Sequence, residues 1–192
     1  MEHKISASCK QLQEIVGEFC QQQEEGLTRL AAQVSALFAS GGQLVLAGSA
    51  AFQPIVQLLA GHFTYRLGFD RPVLPAVALG SDGMLTTLMG NNRQYDQHLV
   101  RHYRSQNSEN QLLLLLNDGT AAAPLRALRD ELLENELPVA MISVAGNDDP
   151  LCRDGVDPCL SLNTDSPARQ LELALFAGQL LCELVEAELF GV

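Results

Sequence analysis

The sequence predicts an α/β fold, a parallel sheet covered on both faces by helices, on three observations. Short apolar runs alternate with segments whose apolar residues recur at helical spacing. One run, Leu112 to Leu116, is apolar throughout instead of alternating, as expected of a strand buried on both faces. Two runs pass directly into helix starts through short loops, Ala47-Gly48-Ser49-Ala50-Ala51-Phe52 and Asn117-Asp118-Gly119-Thr120-Ala121-Ala122. Backbone N–H groups converge at such turns and offer themselves to an anion.

Taken in order, Ile5, Cys9, Leu12, Ile15, Val16, Phe19 and Cys20 fall at helical spacing. The polar run Gln21 to Gly26 predicts a break. A second helix follows, with Leu27, Leu30, Ala31, Val34, Leu37 and Phe38 on one stripe, and Gly41-Gly42 ends it. Leu44 to Ala47 reads as a buried strand, Ile55 to Phe63 as a helix, and Pro75 to Leu79 as a strand. Ser81-Asp82 can cap a helix running through Met89, and Tyr95 to Tyr103 reads as helical. After the Leu112 to Leu116 strand, Pro124 opens a helix to Leu133. Val139 to Val144 is a strand, and Cys159 to Leu162 a short outer one. Ser166-Pro167 starts a last helix reaching about Phe190. That helix is apolar nearly all round, which predicts burial against other subunits. No repeat, low-complexity tract or linker divides the chain, so residues 1–192 read as one domain. Within it, 1–40 are N-terminal helices used in oligomer packing, and 43–190 are the αβα core with the C-terminal helix.

The chain has 192 residues, 47% of them hydrophobic and 18% charged, which suits a globular domain with a sizeable core. A net charge of −11 argues against direct binding of nucleic acid, which needs a basic surface, and is compatible with a basic protein partner. No apolar run has the length of a membrane span, and Met1-Glu2-His3-Lys4 is not followed by an apolar signal core. Five scattered cysteines, Cys9, Cys20, Cys152, Cys159 and Cys182, with no Cys-x-x-Cys spacing, point to a reduced cytoplasmic protein without structural zinc. Cys152 and Cys159 could meet across a turn, but two ordinary thiols is the simpler reading.

At the two loops the chain resembles the sugar isomerase (SIS) domain family, in the branch holding phosphoheptose isomerase and the DnaA initiator-associating protein. The resemblance spans nearly the whole chain. Its specific stretches are Arg71-Pro72-Val73-Leu74-Pro75-Ala76-Val77-Ala78-Leu79, Gly90-Asn91-Asn92, Ala168-Arg169-Gln170-Leu171-Glu172, and the ending Cys182 to Phe190. It implies a three-layer αβα sandwich, flavodoxin-like, with a five-stranded parallel sheet, and a homotetramer built on helix packing.

The departures from the family pattern bear directly on function. The family's first loop reads Gly-Asn-Gly-Gly/Thr-Ser, where this chain has Gly48, Ser49, Ala50, Ala51 and Phe52. Alanine methyls obstruct the backbone approach that glycine permits. A gapped alignment keeps Ser49 as the phosphate-binding serine. The second loop, Ser-Thr-Ser/Arg-Gly-Asn-Ser, becomes Leu116, Asn117, Gly119, Thr120 and Ala121 at its first, second, fourth, fifth and sixth places. A dehydrated phosphate dianion needs several converging donors, each worth roughly 1.5–3 kcal/mol. The isomerase glutamate falls at His62, its histidine at Ala174 and its second-shell aspartate at Asn92, while Arg66, Asn91, Arg169 and Glu172 are kept. No catalytic residue is therefore assigned. His62 alone reads as a half-buried helix histidine, because an acid–base step needs a partner. The remnant phosphosugar site would comprise Ser49, Arg66, Asn91, Asn117, Gly119 and Thr120.

Other constellations are weaker. His98 and His102 at i, i+4 lack a third ligand and read as a solvent-exposed or subunit-facing pair, and Gly146 to Pro150 as a turn, not a calcium loop. Arg169 and Glu172, one turn apart, simply pair. No metal or cofactor is expected. The resemblance implies a non-catalytic oligomeric binding module that associates with the replication initiator DnaA, with Leu189 and Phe190 as an apolar partner contact. Burial of that pair within the tetramer is the competing reading for those two residues. The rival function is a phosphoheptose isomerase-like enzyme, or a phosphosugar-binding protein of altered specificity.

Overall fold

The structure is a computed structural model, and it describes residues 2–106, 108–152 and 155–191. Five parallel strands form one sheet: β1 (Gln43–Gly48), β2 (Ala76–Ala78), β3 (Gln111–Asn117), β4 (Val139–Ser143) and β5 (Val156–Ser161). Their spatial order is β2-β1-β3-β4-β5. Six α-helices cover it: α1 (Glu2–Ala39), α2 (Gln53–Thr64), α3 (Gly83–Asn91), α4 (His98–Tyr103), α5 (Ala123–Glu134) and α6 (Pro167–Phe190).

Side-chain alternation along the strands sorts the core into two layers. Leu44, Leu46, Leu112, Leu114, Leu116 and Ile142 share one cluster with Leu30 of α1, Leu59 of α2 and Ala177 of α6. Val45, Ala47, Leu113, Leu115 and Met141 share the other with Leu99 and Val100 of α4 and Leu125 and Leu128 of α5. Every residue of β3 is buried, because it is the central strand and has a helical layer on each face. The expected αβα sandwich with five parallel strands is the observed fold.

Two expectations need correction. The N-terminal region is not a pair of helices broken at Gln21 to Gly26; α1 runs unbroken for 38 residues. Glutamine and glutamate are good helix formers, so the polar run continues the helix. Gly26 is a packing residue here, since a Cβ would come 2.6 Å from Leu160 Cδ2 on β5. The segment Tyr95 to Tyr103 is helical as expected, a 3-10 turn, Tyr95–Gln97, running directly into α4. The outer strand β5 also starts earlier than the sequence pattern suggests, at Val156, and carries Pro158, which only an edge strand tolerates easily.

A buried ion pair ties the α2–β2 connection to the last helix. Arg71 Nε donates to Glu186 Oε1 at 2.7 Å, and the rest of the guanidinium donates to the carbonyls of His62, Phe63 and Pro72. Burial and the adjacent Glu186 push the Cys182 thiol up to about 12. The pair predicted from the sequence also forms. Arg169 meets Glu172 at 2.5 Å and donates to Ser8 Oγ at 3.0 Å, fastening α6 to α1.

Candidate functional site

Parallel α/β sheets bind ligands outside the carboxyl ends of their strands, where the chain order reverses. Here that place lies between β1 and its neighbours, because β1 connects outward to β2 and the chain then returns to β3 on the other side. Gly48 pairs in register with Leu116, which sets the two strand-to-helix loops side by side. The loops are tied together at Ser49. Its N–H donates to Leu116 O at 2.9 Å, and its Oγ accepts the Asp118 N–H at 3.0 Å. Gly48 is required there, as a Cβ would come 2.9 Å from the backbone carbonyl of Phe52.

A cleft of about 520 Å³ opens beside this junction. That size suits a single small ligand. Gly48, Ser49 and Ala50 form one wall, and Ala122, Ala123 and the start of α5 form another. The third side carries the chemistry: Gln53 from α2, Thr86 from α3, and Tyr95, Asp96 and His98 from the turn leading into α4. Gln53 Nε2 donates to Leu79 O at 2.6 Å, which leaves Oε1 as an acceptor. His98 Nδ1 lies 2.7 Å from Tyr95 O, and a carbonyl can only accept, so the neutral ring carries its proton on Nδ1 and presents Nε2 as a lone pair. The ring stacks on Tyr95 with centroids 4.6 Å apart. Among the described residues no lysine or arginine lines the cleft.

The sequence-selected residues fall into three groups. Ser49 alone of the remnant site lines the cleft. Asn117, Gly119 and Thr120 are not in its lining; the Asn117 amide nitrogen and the Thr120 donors are taken by other groups of the chain, while Asn117 Oδ1 is buried without a partner among the described residues. Asn117 is fully buried and donates to Asp149 Oδ2 at 2.7 Å and Thr120 O at 2.9 Å. Thr120 donates both its N–H, at 3.1 Å, and its hydroxyl, at 2.6 Å, to Asp118 Oδ1. Asp118 is thus an internal anion, holding donors that a phosphate would otherwise use. Gly119 adopts φ +84, which makes that tight turn possible. Asn91 and Arg66 are exposed and remote from the cleft lining, and Arg66 instead sits over the Tyr65 ring and near Asp70.

The three positions that the resemblance aligns with the family's catalytic groups also lie outside the cleft lining. His62 sits in the last turn of α2, half-buried, with its Nδ1 buried and without a partner among the described residues. Ala174 is buried in the core and Asn92 caps the end of α3. Phe52, at the place of a family hydroxyl, is 2% exposed and belongs to the core. Of the two arrangements expected for the histidine pair, solvent-exposed or subunit-facing, the solvent-exposed one is not observed. His98 is 7% exposed, and His102 Nδ1 accepts the Gly80 N–H at 3.2 Å. No group of three or more His, Cys, Asp or Glu side chains among the described residues is arranged to hold a metal. Gly146 to Asp148 form a 3-10 turn, and Cys159 Sγ donates to the Gly146 carbonyl at 3.1 Å. Burial and the neighbouring Cys152 thiol push the Cys159 pKa up. Leu189 and Phe190 are half-buried, and Phe190 meets Phe69 edge to face at 5.8 Å.

The residues that sequence reasoning missed are Gln53, Tyr95, Asp96 and the cleft-facing role of His98. None sits in a recognisable motif; they meet because three separate elements end at the same corner of the sheet.

The fold and the position of this cleft place the molecule among sugar-isomerase-type α/β proteins. Comparison with known proteins makes this specific. A phosphoheptose isomerase of Burkholderia pseudomallei is 32% identical over 158 residues, covering 81% of this chain and 78% of that protein. Among solved structures, a phosphoheptose isomerase from Francisella tularensis superposes with a TM-score of 0.81 at 19% identity, over 95% of this chain and 96% of that one. The Neisseria gonorrhoeae phosphoheptose isomerase gives 0.79 at 18% identity, over 97% and 98%. No family model matches the chain. The chain belongs to the phosphoheptose isomerase branch of the SIS family. Among the described residues no helix is long and apolar enough to cross a membrane.

Proposed function

We propose that this chain is a phosphoheptose isomerase-like protein that binds a carbohydrate derivative with altered specificity. The observation that carries the reading is the cleft of about 520 Å³ beside the two strand-to-helix loops at the carboxyl ends of β1 and β3, in a chain 32% identical to a phosphoheptose isomerase. The family's proton-transfer couple is replaced by His62 and Ala174, neither of which lines the cleft. Aldose–ketose conversion needs a positioned acid and base, so binding is the retained property and heptose phosphate turnover is not expected. The test is a thermal-shift screen of sugars and sugar phosphates beside an isomerase assay on the purified chain. A ligand that binds only the folded state raises its melting temperature. Failure of every carbohydrate to do so overturns the reading, and enzyme-like turnover of sedoheptulose 7-phosphate overturns its non-catalytic part.

A second reading, a non-catalytic module that associates with the initiator DnaA as a homotetramer, is favoured by the same missing couple. The first half of α1 offers surface for assembly, with Ile5 71% exposed. Against it, Phe190 is already partly covered by Phe69 within a single chain. Capture of purified DnaA by the wild-type chain, and loss of capture by Phe190→Ala with the oligomer intact, is the result that would favour it.

A further inference from the structure

We propose that the cleft selects an uncharged, polyhydroxylated ligand, a free sugar or polyol, and discriminates against its phosphate ester. The inference rests on the carbohydrate-binding reading and narrows it.

The first ground is charge. A phosphate dianion taken from water must be met by cations or by several converging donors. The cleft lining holds no lysine or arginine among the described residues, and it holds the Asp96 carboxylate. Thr120 has already given its N–H and its hydroxyl to Asp118. Pro124 at the start of α5 removes one of the free amides that a helix N-terminus would otherwise present.

The second ground is the sense of the hydrogen bonds. Gln53 gives one amide hydrogen to Leu79 O and keeps Oε1 as an acceptor beside its second amide hydrogen. His98, 93% buried by its 7% exposure, keeps Nε2 free because its Nδ1 faces Tyr95 O. Asp96 can only accept. These three acceptors call for a ligand that donates, as sugar hydroxyls do, and the phosphate group of an ester replaces one donating hydroxyl by acceptors alone. The remaining donors, the Ser49 hydroxyl and the first amides of α5, are uncharged. A sugar hydroxyl both donates and accepts, so a row of them can satisfy both sets. The exposed face of Tyr95, stacked on His98, adds an apolar surface at the rim.

The experiment compares D-sedoheptulose with D-sedoheptulose 7-phosphate, each titrated to about 10 mM against the wild-type chain by thermal shift and ligand-observed NMR. The free sugar is expected to bind at least about tenfold more tightly than the ester. His98→Leu is expected to weaken free-sugar binding about tenfold. Asp96→Asn, at an exposed position that leaves the fold untouched, is expected to shrink the discrimination against the ester and decides the matter if His98→Leu does not fold. Tighter binding of the ester overturns the inference and leaves the carbohydrate reading standing. Binding of neither overturns the inference, and the carbohydrate reading then falls if the wider screen of sugars and sugar phosphates also finds none. Binding of the free sugar that is indifferent to His98 and Asp96 overturns the assignment to this cleft.

Discussion

Asn117, at the carboxyl end of β3, donates to Asp149 Oδ2 at 2.7 Å, and both side chains are buried. Asp149 also accepts from Ser143 Oγ and, through Oδ1 at 2.7 Å, from the Leu151 N–H. The carboxylate therefore gathers three donors from β3, β4 and the turn after it, and supports the second loop from beneath. Asp149→Ala strands all three. At roughly 1–3 kcal/mol per unsatisfied buried group, partly relieved by water, a loss of about 3 kcal/mol is expected in urea unfolding.

Arg71 and Glu186 form a pair whose value depends on keeping both members. Removing one leaves a buried charge, so Arg71→Met should cost about 3–5 kcal/mol. The double variant Arg71→Met/Glu186→Leu should recover a large part of that loss, because the uncompensated charge is gone. Additive losses in a double-mutant cycle would count against this account.

Gly48 meets backbone, not a flexible side chain. A Cβ there lies 2.9 Å from both the carbon and the oxygen of the Phe52 carbonyl and 3.0 Å from Gln53 N. Gly48→Ala must move the start of α2, at an expected cost of about 1–3 kcal/mol. The same shift should displace Gln53 and weaken whatever carbohydrate the cleft holds, measured by thermal shift.

His102 links stability to acidity. Burial lowers its pKa, a nearby Asp82 opposes that, and His98 adds to the lowering. Its Nδ1 accepts the Gly80 N–H, which the neutral ring alone can do. The unfolded chain, titrating at about 6.5, then binds a proton before the folded one does. Stability from this group is complete above that value and is lost as the pH falls from there through the lower folded-state pKa. The urea midpoint should drop between neutral pH and mildly acidic pH, and His102→Gln should flatten that drop.

Asp118 fills the donors of its own loop. Asp118→Ala frees the Thr120 N–H and hydroxyl and removes a negative charge from the second loop. Inorganic phosphate should then bind about tenfold better than to the wild-type chain, read by competition or calorimetry. An unchanged affinity would mean that the loop is not what keeps phosphate out.

Most of the fold was legible in the residue pattern. The unbroken apolar run of Leu112 to Leu116 marked the central strand, and Asp82 was readable as a cap, its carboxylate accepting the Leu85 N–H. The pattern misled at Gln21 to Gly26 because polarity resembles a break, whereas glutamine and glutamate sustain a helix and Gly26 is there to let α1 approach Leu160 of a distant strand. At the site, Ser49 was legible from its place in the first loop. Asn117 and Thr120 were selected as donors for a ligand, but their hydrogen bonds go to Asp149 and Asp118.

The chain by itself determined that a parallel α/β sandwich forms, because hydrophobic periodicity is a local property of the residues. Only the tertiary structure decided what the cleft offers. Gln53, Asp96 and His98 share no motif, and which of their atoms stays free depends on partners elsewhere, Leu79 O for the glutamine and Tyr95 O for the histidine. A hydrogen-bonding group has a definite sense toward a ligand only after the fold has used its other side.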